Sequence, residues 1–322
     1  MSQGQIMIDS FEVKPLRRNF REPFATATGT WRIRESMVAR VKYMDGHVGF
    51  GEVAPTPGFR GETFSDAHRF LSLWEPQMEI PDHLPLCRAA LGCAGSSLWR
   101  TQTAFPKIKT AALLRSPEET NLPLNNVLKA KIGIGELGSE IATIENLLTH
   151  LPVGSRLRLD ANGSLSRTEA KAWLDTFEGC SQIEFLEQPL AVTDRNGLMG
   201  LAESNSLALA LDESLLDVHI AEEFLADGWP GYFVFKPTLC RDWREMETFL
   251  RNEPTRCVVS SAFESPFGFE AVLRVASLVE TVAGIGVSTF FVEDDFSLHT
   301  MDMVLQPGEV DISQLEELWR SI

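Results

Sequence analysis

The chain has 322 residues, enough for a barrel and one smaller unit, and its 44% of hydrophobic and 23% of charged residues are ordinary for a globular enzyme. A net charge of −16 argues against binding to nucleic acid or to an anionic membrane, because both require basic patches. No apolar run reaches the roughly 18 residues that span a bilayer, and the segment around Asp9 and Glu12 lacks an apolar signal core, so we expect a cytoplasmic protein.

The first hundred residues predict a separate α+β domain. Two β-rich segments, 37–44 and 47–53, are joined by Asp45-Gly46, which is a strong signal for a two-residue hairpin. Gly49 and Gly51 in the second segment indicate that another backbone approaches closely. A loop rich in proline and glycine follows, and a helical region then reaches to about residue 100.

The middle of the chain alternates between strands and helices, which favours a parallel sheet. Apolar residues recur there at helical spacing, and Ser166 with Glu169 forms a capping box at the start of one helix. The apolar stripes comprise Leu137, Ile141, Ile144 and Leu148; Ala170, Trp173, Leu174 and Phe177; and Phe269, Val272, Leu273 and Ala276. We assign residues 104–296 to a barrel domain and residues 1–103, completed by about 297–322, to a capping domain.

Five charged residues end short apolar runs at intervals of 24 to 29 residues, the length of one strand, one helix and two loops in a βα barrel. The spacing places these charges at the carboxyl ends of five consecutive strands, where such barrels carry out chemistry. The five residues are Lys131, Asp160, Glu187, Asp212 and Lys236. Side chains alternate along a strand, so the charges face the lumen and the apolar residues face the helices.

The three carboxylates predict a metal site. Acidic residues also favour helix N-termini, so each of Asp160, Glu187 and Asp212 taken alone has that second explanation. Three inward carboxylates on consecutive strands, however, repel one another unless a cation joins them. Oxygen ligands at a rim that admits substrate suit Mg²⁺, and Mn²⁺ is the alternative.

The lysines predict proton transfer. Lys129 and Lys131 share the inward face of one strand, although an exposed basic pair on an edge strand is the other explanation. Two close ammonium groups lower each other's pKa, and a lysine of lowered pKa can act as a general base near neutral pH. Lys236 would face this pair from the opposite wall.

Residues beside these charges have less specific roles. Asn162 either orients a ligand or caps a turn, Glu213 is interpreted as a supporting residue rather than a ligand, and Arg158 is predicted to lie deeper in the lumen. The five cysteines are scattered without a CxxC spacing, and the six histidines form no HxH or HExxH pattern. We therefore expect a reduced protein without structural zinc.

The segments that carry the charges together resemble the enolase superfamily, and their lysines resemble its muconate-lactonizing-enzyme-like subgroup. These segments are Lys129-Ala130-Lys131, Asp160-Ala161-Asn162, Glu187-Gln188-Pro189, Asp212-Glu213-Ser214 and Lys236-Pro237. Residues 51–59, followed by Glu62-Thr63, and residues 260–265 with Gly268 are similar to the o-succinylbenzoate synthase family within that subgroup. The resemblance covers about residues 10 to 295.

The resemblance implies an α/β fold, an enolase-type modified TIM (β/α) barrel with an α+β cap that closes over the rim. Enolase-superfamily sites in general combine a Lys or His base with Mg²⁺ that stabilises an ene-diolate. Here Lys131 would be the base and Lys236 would stabilise the developing anion. Substrate contacts are implied for Lys129, Phe59, Asn162, Ser260 and Ser261.

The implied reaction is the dehydration of a small-molecule carboxylate, 2-succinyl-6-hydroxy-2,4-cyclohexadiene-1-carboxylate, to o-succinylbenzoate for menaquinone or phylloquinone biosynthesis. An N-succinylamino-acid racemase or dipeptide epimerase on the same scaffold would use the same five charges, and assays on each substrate distinguish these enzymes. A catalytically silent barrel kept for binding would be expected to lack a ligand or a base, and none is missing. No feature of the sequence fixes an oligomeric state.

Overall fold

The computed structural model describes residues 7–26, 29–56, 61–100, 106–119, 122–124, 126–285, 291–292, 304–305 and 312–322. Across these ranges the strands form two larger sheets, one antiparallel and one parallel, and a two-stranded pair. No helix in the same ranges combines the length and the apolarity needed to cross a membrane. The five cysteines, all within these ranges, form no disulfide.

The antiparallel sheet is the core of the cap and has the order β1-β2-β3. Its strands are β1 (Ile8–Thr26), β2 (Gly29–Tyr43) and β3 (Val48–Val53), and helices α1 (Phe64–Leu71) and α2 (Pro85–Ala94) follow. The hairpin between β2 and β3 is confirmed, with Gly46 in the left-handed region at φ 87°. The sequence did not predict β1 or the first half of β2. Trp31 and Ile33 alternate there with Arg32 and Arg34, but Ile33 is exposed and Arg34 is buried, so this alternation does not mark a core face.

The predicted close approach at the two glycines of β3 is confirmed. A Cβ atom built on Gly51 would lie 1.9 Å from the carbonyl oxygen of Ala90, and one built on Gly49 would lie 2.0 Å from that of Ala94. Both carbonyls belong to α2, so the helix lies directly on the strand. Glycine at these two positions is what allows the sheet and the helix to pack without a gap.

Substituting alanine for Gly51 is expected to lower the free energy of unfolding by about 1–3 kcal/mol or more, because the strand or the helix must move to admit the methyl group. Gly200 is the matched control, since a Cβ atom built there meets nothing within 4 Å. Gly200→Ala lies in a helix and is expected to stabilise by roughly 0.5–1 kcal/mol. Urea unfolding of both variants checks this, and equal stabilities would contradict it.

The parallel sheet forms the barrel and has the order β11-β10-β9-β8-β7-β6-β5. Its strands are β5 (Ala112–Leu113), β6 (Val127–Lys131), β7 (Arg156–Asp160), β8 (Ile183–Glu187), β9 (Leu209–Leu211), β10 (Tyr232–Phe235) and β11 (Cys257–Val259). Residues 283–284 lie between the two edges, since Gly284 forms a parallel bridge with Ser260 and Ala283 forms one with Thr110. The ring of strands is thereby closed.

Helices alternate with these strands on the outside of the barrel. They are α3 (Leu137–His150), α4 (Arg167–Thr176), α5 (Arg195–Ser204), α6 (Val218–Ala226), α7 (Trp243–Asn252) and α8 (Pro266–Ala276). The predicted stripes lie on α3, α4 and α8, and the capping box of Ser166 and Glu169 is present at the start of α4. The expected α/β fold, an enolase-type barrel with an α+β cap, is thus confirmed.

The two faces of the strands differ as the alternation predicted. Leu209, Leu211, Phe233 and Phe235 belong to the large core between strands and helices, whereas Ala210 and Val234 belong to a small separate cluster with Phe185 and Val258. Small side chains in the lumen leave room for one large polar group. That group is the buried guanidinium of Arg158, which donates to Glu184 Oε2 at 2.7 Å and to the carbonyl oxygen of Val282 at 2.8 Å.

The last helix, α9 (Ile312–Ser321), lies on the cap and also reaches the barrel helix α8, since the ring centroids of Trp319 and Phe267 are 6.1 Å apart. Lys14 Nζ of β1 donates to the carbonyl oxygens of Trp319 and Ile322, and Arg40 of β2 forms an ion pair with Glu316. The preceding strand β12 (Val304–Leu305) pairs with β4 (Ile108–Lys109). The domain boundary near residues 103 and 104 lies outside the described residues and stays a prediction.

Candidate active site

The register of the parallel sheet brings the predicted charges together at one rim. Lys131, Asp160 and Glu187 are the last residues of β6, β7 and β8, and their Cα atoms are neighbours in the register of the sheet. Asp212 and Lys236 come directly after β9 and β10. Parallel strands share one carboxyl edge, so five residues far apart in the sequence surround one space.

The three carboxylates form a compact acidic group. Asp160, Glu187 and Asp212 each offer an oxygen, and these oxygens lie within 4.8 Å of one another. The residues are 1%, 1% and 6% exposed. Buried carboxylates at such separations require positive charge between or beside them. An all-oxygen set of this kind fits a hard divalent cation.

Three lysines supply positive charge around this group. Lys129 Nζ lies 2.7 Å from Asp160 Oδ2 and 2.7 Å from Glu187 Oε1. Lys131 Nζ lies 2.7 Å from Asp160 Oδ2, and Lys236 contacts both oxygens of Asp212. Lys129 and Lys131 come from one wall and Lys236 from the opposite one, as the strand pattern predicted.

Burial and charge act in opposite directions on the pKa values of these groups. Burial alone would raise the pKa of Asp160, but the ammonium groups of Lys129 and Lys131 outweigh it and lower that pKa well below the usual range. Burial would lower the pKa of Lys129, yet attraction to Asp160 and Glu187 raises it. In the chain alone, attraction to the carboxylates therefore decides the direction of the pKa shift of Lys129. The expectation that the paired lysines, together with a nearby divalent cation, lower the pKa of a lysine stays a prediction.

Glu187 and Lys236 show the same competition with different results. Burial, helped by the repulsion of Asp160, raises the pKa of Glu187 to about 8 although Lys129 donates to it. For Lys236, burial would lower the pKa, but Asp212 and Glu213 raise it instead. Lys236 is therefore held as a cation in the chain alone.

Asn162 and Glu213 lie on the solvent side of the carboxylates. Asn162 occupies the left-handed region at φ 45° and its side chain contacts Lys131 Nζ at 2.6 Å and Glu213 Oε1 at 2.9 Å. Of the two alternatives considered for Asn162, a place in a turn agrees with its left-handed backbone, and orientation of a ligand stays a prediction. Burial, together with the nearby Asp212, raises the pKa of Glu213.

Gln188 is a residue of this site that the sequence argument missed. Its buried side-chain oxygen accepts from the backbone N–H groups of Asp212 and Ser214, and its amide nitrogen donates to Ser214 Oγ and the carbonyl oxygen of Leu190. Both the oxygen and the nitrogen of this buried amide are thus hydrogen-bonded, and the oxygen holds the backbone around Asp212. The available signal was a glutamine between a predicted ligand and a proline at a strand end.

The loop after β11 contains Ser260 and Ser261, which were predicted to contact substrate. Ser260 Oγ donates to the carbonyl oxygen of Gly284 at 3.0 Å, and Ser261 Oγ donates to Glu264. Glu264 also accepts from Thr238 Oγ1 at 2.7 Å, which ties this loop to the loop after Lys236. Glu52 of the cap accepts from the N–H and the hydroxyl of Ser265, so the cap contacts the rim here.

Comparison with known proteins supports this architecture. The family model described as "Enolase C-terminal domain-like" matches residues 125–314. The o-succinylbenzoate synthase of Thermosynechococcus vestitus is 33% identical over 284 residues, which covers 83% of this chain and 88% of the relative. The chain belongs to the o-succinylbenzoate synthase family of the enolase superfamily.

Solved structures agree with the family assignment. The crystal structure of o-succinylbenzoate synthase from Thermosynechococcus elongatus BP-1, complexed with Mg in its active site, has a TM-score of 0.80 at 28% identity and covers 97% of this chain and 99% of its own. A dipeptide epimerase from Enterococcus faecalis V583 has a TM-score of 0.76 at 20% identity and covers 90% and 92%. The second likeness shows the fold alone. As an o-succinylbenzoate synthase family member, the chain is a lyase.

The structure brings together all the predicted site residues that lie within its described ranges. Lys129, Lys131, Asn162 and Lys236 contact the acidic group or one another, and Ser260 and Ser261 lie in the neighbouring loop. Phe59 lies outside the described residues. The individual roles of these residues in the o-succinylbenzoate synthase family reaction stay predictions.

Replacing Gln188 by methionine is expected to weaken Mg²⁺ binding roughly tenfold, the lower end of the range for residues that orient metal ligands. Two backbone N–H groups around Asp212 lose their acceptor, so the carboxylate is held less firmly. Gln182→Met, which removes an amide of the same size away from the rim, is the control; Gln182 donates to the carbonyl oxygen of Leu148. Calorimetric titration with Mg²⁺ measures both, and an unchanged Kd in Gln188→Met would reject this role.

Proposed function

We propose that the enzyme removes water from 2-succinyl-6-hydroxy-2,4-cyclohexadiene-1-carboxylate to form o-succinylbenzoate. The observation that carries the proposal is a compact acidic group between lysines on opposite walls of a barrel of this family. The epimerase alternative has less support, since four solved epimerase structures are 19–21% identical to the chain.

Asp160, Glu187 and Asp212 would hold a divalent cation, which we propose to be Mg²⁺. The oxygen donors, their burial and their mutual distances fit such an ion. When bound, the cation supplies fixed positive charge that stabilises negative charge developing on a substrate carboxylate. Mn²⁺ prefers similar ligands, and comparing activity with each ion decides between them.

Lys131 would remove the proton from the ring carbon that carries the substrate carboxylate. The proton passes to Lys131 Nζ, and the electron pair of the broken C–H bond moves toward the carboxylate. Lys131 Nζ then returns this proton to the hydroxyl group on the adjacent ring carbon, which leaves as water, and the electron pair forms the double bond that makes the ring aromatic. A positioned base of this kind contributes about 10²- to 10⁴-fold to the rate.

Lys236 would act by charge from the opposite side of the ring. Its ammonium group is fixed by both oxygens of Asp212, and a cation over a ring of developing negative charge is stabilising. Dehydration requires one base, whereas racemisation requires a proton acceptor and a donor on opposite faces. The same pair of lysines therefore supports either reaction, and the substrate decides which one occurs.

The test is an assay of the purified protein with Mg²⁺ on the cyclohexadiene substrate beside an N-succinylamino acid. We expect dehydration, followed as formation of the aromatic product, to be the faster reaction. Racemisation without dehydration would reject the proposal in favour of the alternative. We also propose that the enzyme is cytoplasmic and that its product enters menaquinone or phylloquinone biosynthesis.

Lys236→Arg is expected to retain more dehydration activity than Lys236→Ala, because arginine keeps the positive charge but is a poor proton shuttle. The measurement is kcat/KM for dehydration in both variants, with folding and Mg²⁺ binding checked in each. Equal losses in the two variants would show that charge alone is not what Lys236 contributes.

A further inference from the structure

We propose that Glu213 is a positioning residue for the general base. It fixes the side-chain amide of Asn162, and that amide fixes the ammonium group of Lys131. The inference deepens the proposed function and rests on Lys131 being the base. It assigns a role to the glutamate beside the third carboxylate, which is outside the acidic group itself.

Two hydrogen bonds connect the three residues. Lys131 Nζ donates to Asn162 Oδ1 at 2.6 Å, and Asn162 Nδ2 donates to Glu213 Oε1 at 2.9 Å. The contacts run from the end of β6 through the turn after β7 to the segment after β9. They therefore cross the mouth of the barrel above the carboxylates.

The chemistry of the two ends fixes the orientation of the amide. An ammonium group has donors alone, and Glu213 presents its Oε1 to Asn162 as an acceptor. Asn162 satisfies both when its oxygen faces Lys131 and its nitrogen faces Glu213. Without an acceptor at residue 213, the amide has no reason to keep its oxygen toward the lysine.

The backbone holds both ends of this connection in place. The carbonyl oxygen of Gln188 accepts from the N–H of Gly163, and the side chain of Gln188 holds the backbone on both sides of Glu213. The N–H of Asn162 donates to Asp160 Oδ1 at 3.0 Å. The backbones of Asn162 and Glu213 are thus held in place, and the contact between the two side chains can fix the position of Lys131 Nζ.

Such a contact matters for Lys131, because burial alone does not fix the position of its ammonium group. Its side chain is 38% exposed, and a long flexible side chain loses up to about 2 kcal/mol of rotamer freedom when it is fixed. Asp160 attracts the ammonium group toward the acidic group, whereas Asn162 holds it on the solvent side, where a substrate would enter. The balance of these two contacts sets where Nζ lies.

The experiment compares Glu213→Leu with Glu213→Gln in the Mg²⁺-loaded enzyme. We expect Glu213→Leu to lower kcat roughly 10- to 100-fold, the cost of a small misplacement of a reacting group. Glu213→Gln keeps an oxygen that accepts from Asn162, so we expect it to retain kcat within about threefold of the wild type. Glu222→Leu, the same substitution on the exposed face of α6, is the control. If Glu213→Leu does not fold, Glu213→Ala carries the same test.

A double-mutant cycle tests whether Glu213 acts through Asn162. Asn162→Gly removes the amide and keeps the left-handed backbone without strain. We expect the double variant with Glu213→Leu to be no slower than Asn162→Gly alone, since residues that act in series are not additive. Losses that multiply would overturn the proposal.

Two readouts are independent of turnover. The Kd for Mg²⁺, measured by calorimetry, should stay within about threefold in Glu213→Leu, because residues that orient metal ligands cost more than that when lost. A larger loss would make Glu213 part of the metal site and overturn the proposal. Crystal structures of the Mg²⁺-bound wild type and Glu213→Leu should show Lys131 Nζ displaced in the variant, and an unmoved Nζ would overturn it. If the wild type fails to dehydrate the substrate, the proposed function fails, and these structures still decide the positioning role.

Discussion

Lys131→Ala is expected to leave a folded, metal-binding protein that has lost about 10²- to 10⁴-fold in kcat/KM. At 1.36 kcal/mol per decade this loss corresponds to about 3–5 kcal/mol of transition-state stabilisation. The physical reason is that, among the residues that the structure describes, no other basic group takes the same position. Lys129 is turned into the acidic group by contacts with Asp160 and Glu187, so its ammonium group does not take the place of the Lys131 ammonium group.

Lys171→Ala is the control, because Lys171 pairs with Asp175 on the exposed face of α4 and lies away from the rim. Steady-state kinetics, thermal unfolding and a Mg²⁺ titration of both variants complete the measurement. If Lys131→Ala is folded, binds Mg²⁺ and loses less than about tenfold, a residue other than Lys131 is the base.

Removing the metal is expected to lower the dehydration activity by a similar factor. EDTA should abolish dehydration and Mg²⁺ should restore it, because three buried carboxylates then repel one another and the substrate carboxylate meets no fixed cation. Mg²⁺ should also stabilise the fold by about 2.7 kcal/mol at 100 times its Kd. Turnover that survives complete metal removal would reject the assignment of Asp160, Glu187 and Asp212.

The metal effect should depend on pH. In the chain alone the pKa of Glu187 is raised from 4.5 to about 8 by burial. Between these two values the native state therefore binds more protons than the unfolded state, and the stability of the metal-free protein falls as the pH rises. Mg²⁺ must displace this proton, so its affinity should rise with pH up to about 8, by at most tenfold per unit. Thermal unfolding with and without Mg²⁺ at pH 6 and pH 8 measures this, and an equal stabilisation at both would contradict it.

The sequence predicted the barrel and the placement of its charges because strand spacing and side-chain alternation are local properties. Lys131, Asp160 and Glu187 each end an apolar strand, and the parallel register of the sheet places them side by side at one rim. Residues 283–284, which lie within the predicted barrel range 104–296, close the barrel, although two residues alone carry no alternation. The strand β1 was missed because its pairing partner β2 is mostly exposed along its first half.

The sequence did not predict the contacts between loops. Gln188 and Glu264 hold neighbouring loops through single side chains, and the sequence does not show which groups on those loops the two side chains reach. The direction of the pKa shift of Lys129 could not be predicted from the sequence either, because it depends on how close the surrounding charges lie to its ammonium group. Lysines alone predict a lowered pKa, and the carboxylates reverse it.

The packing of α9 on the cap has a consequence for how the chain folds. Lys14 and Trp319 are in contact although 305 residues separate them, and closing a flexible loop of that length costs on the order of 5 kcal/mol in chain entropy. Contacts that span so much of a chain form slowly. A folded barrel brings the two ends near each other and shortens the loop that remains to be closed. During synthesis, the strands of the cap sheet are therefore made long before α9, and the surface that Trp319 covers stays exposed in the nascent protein until that helix is added.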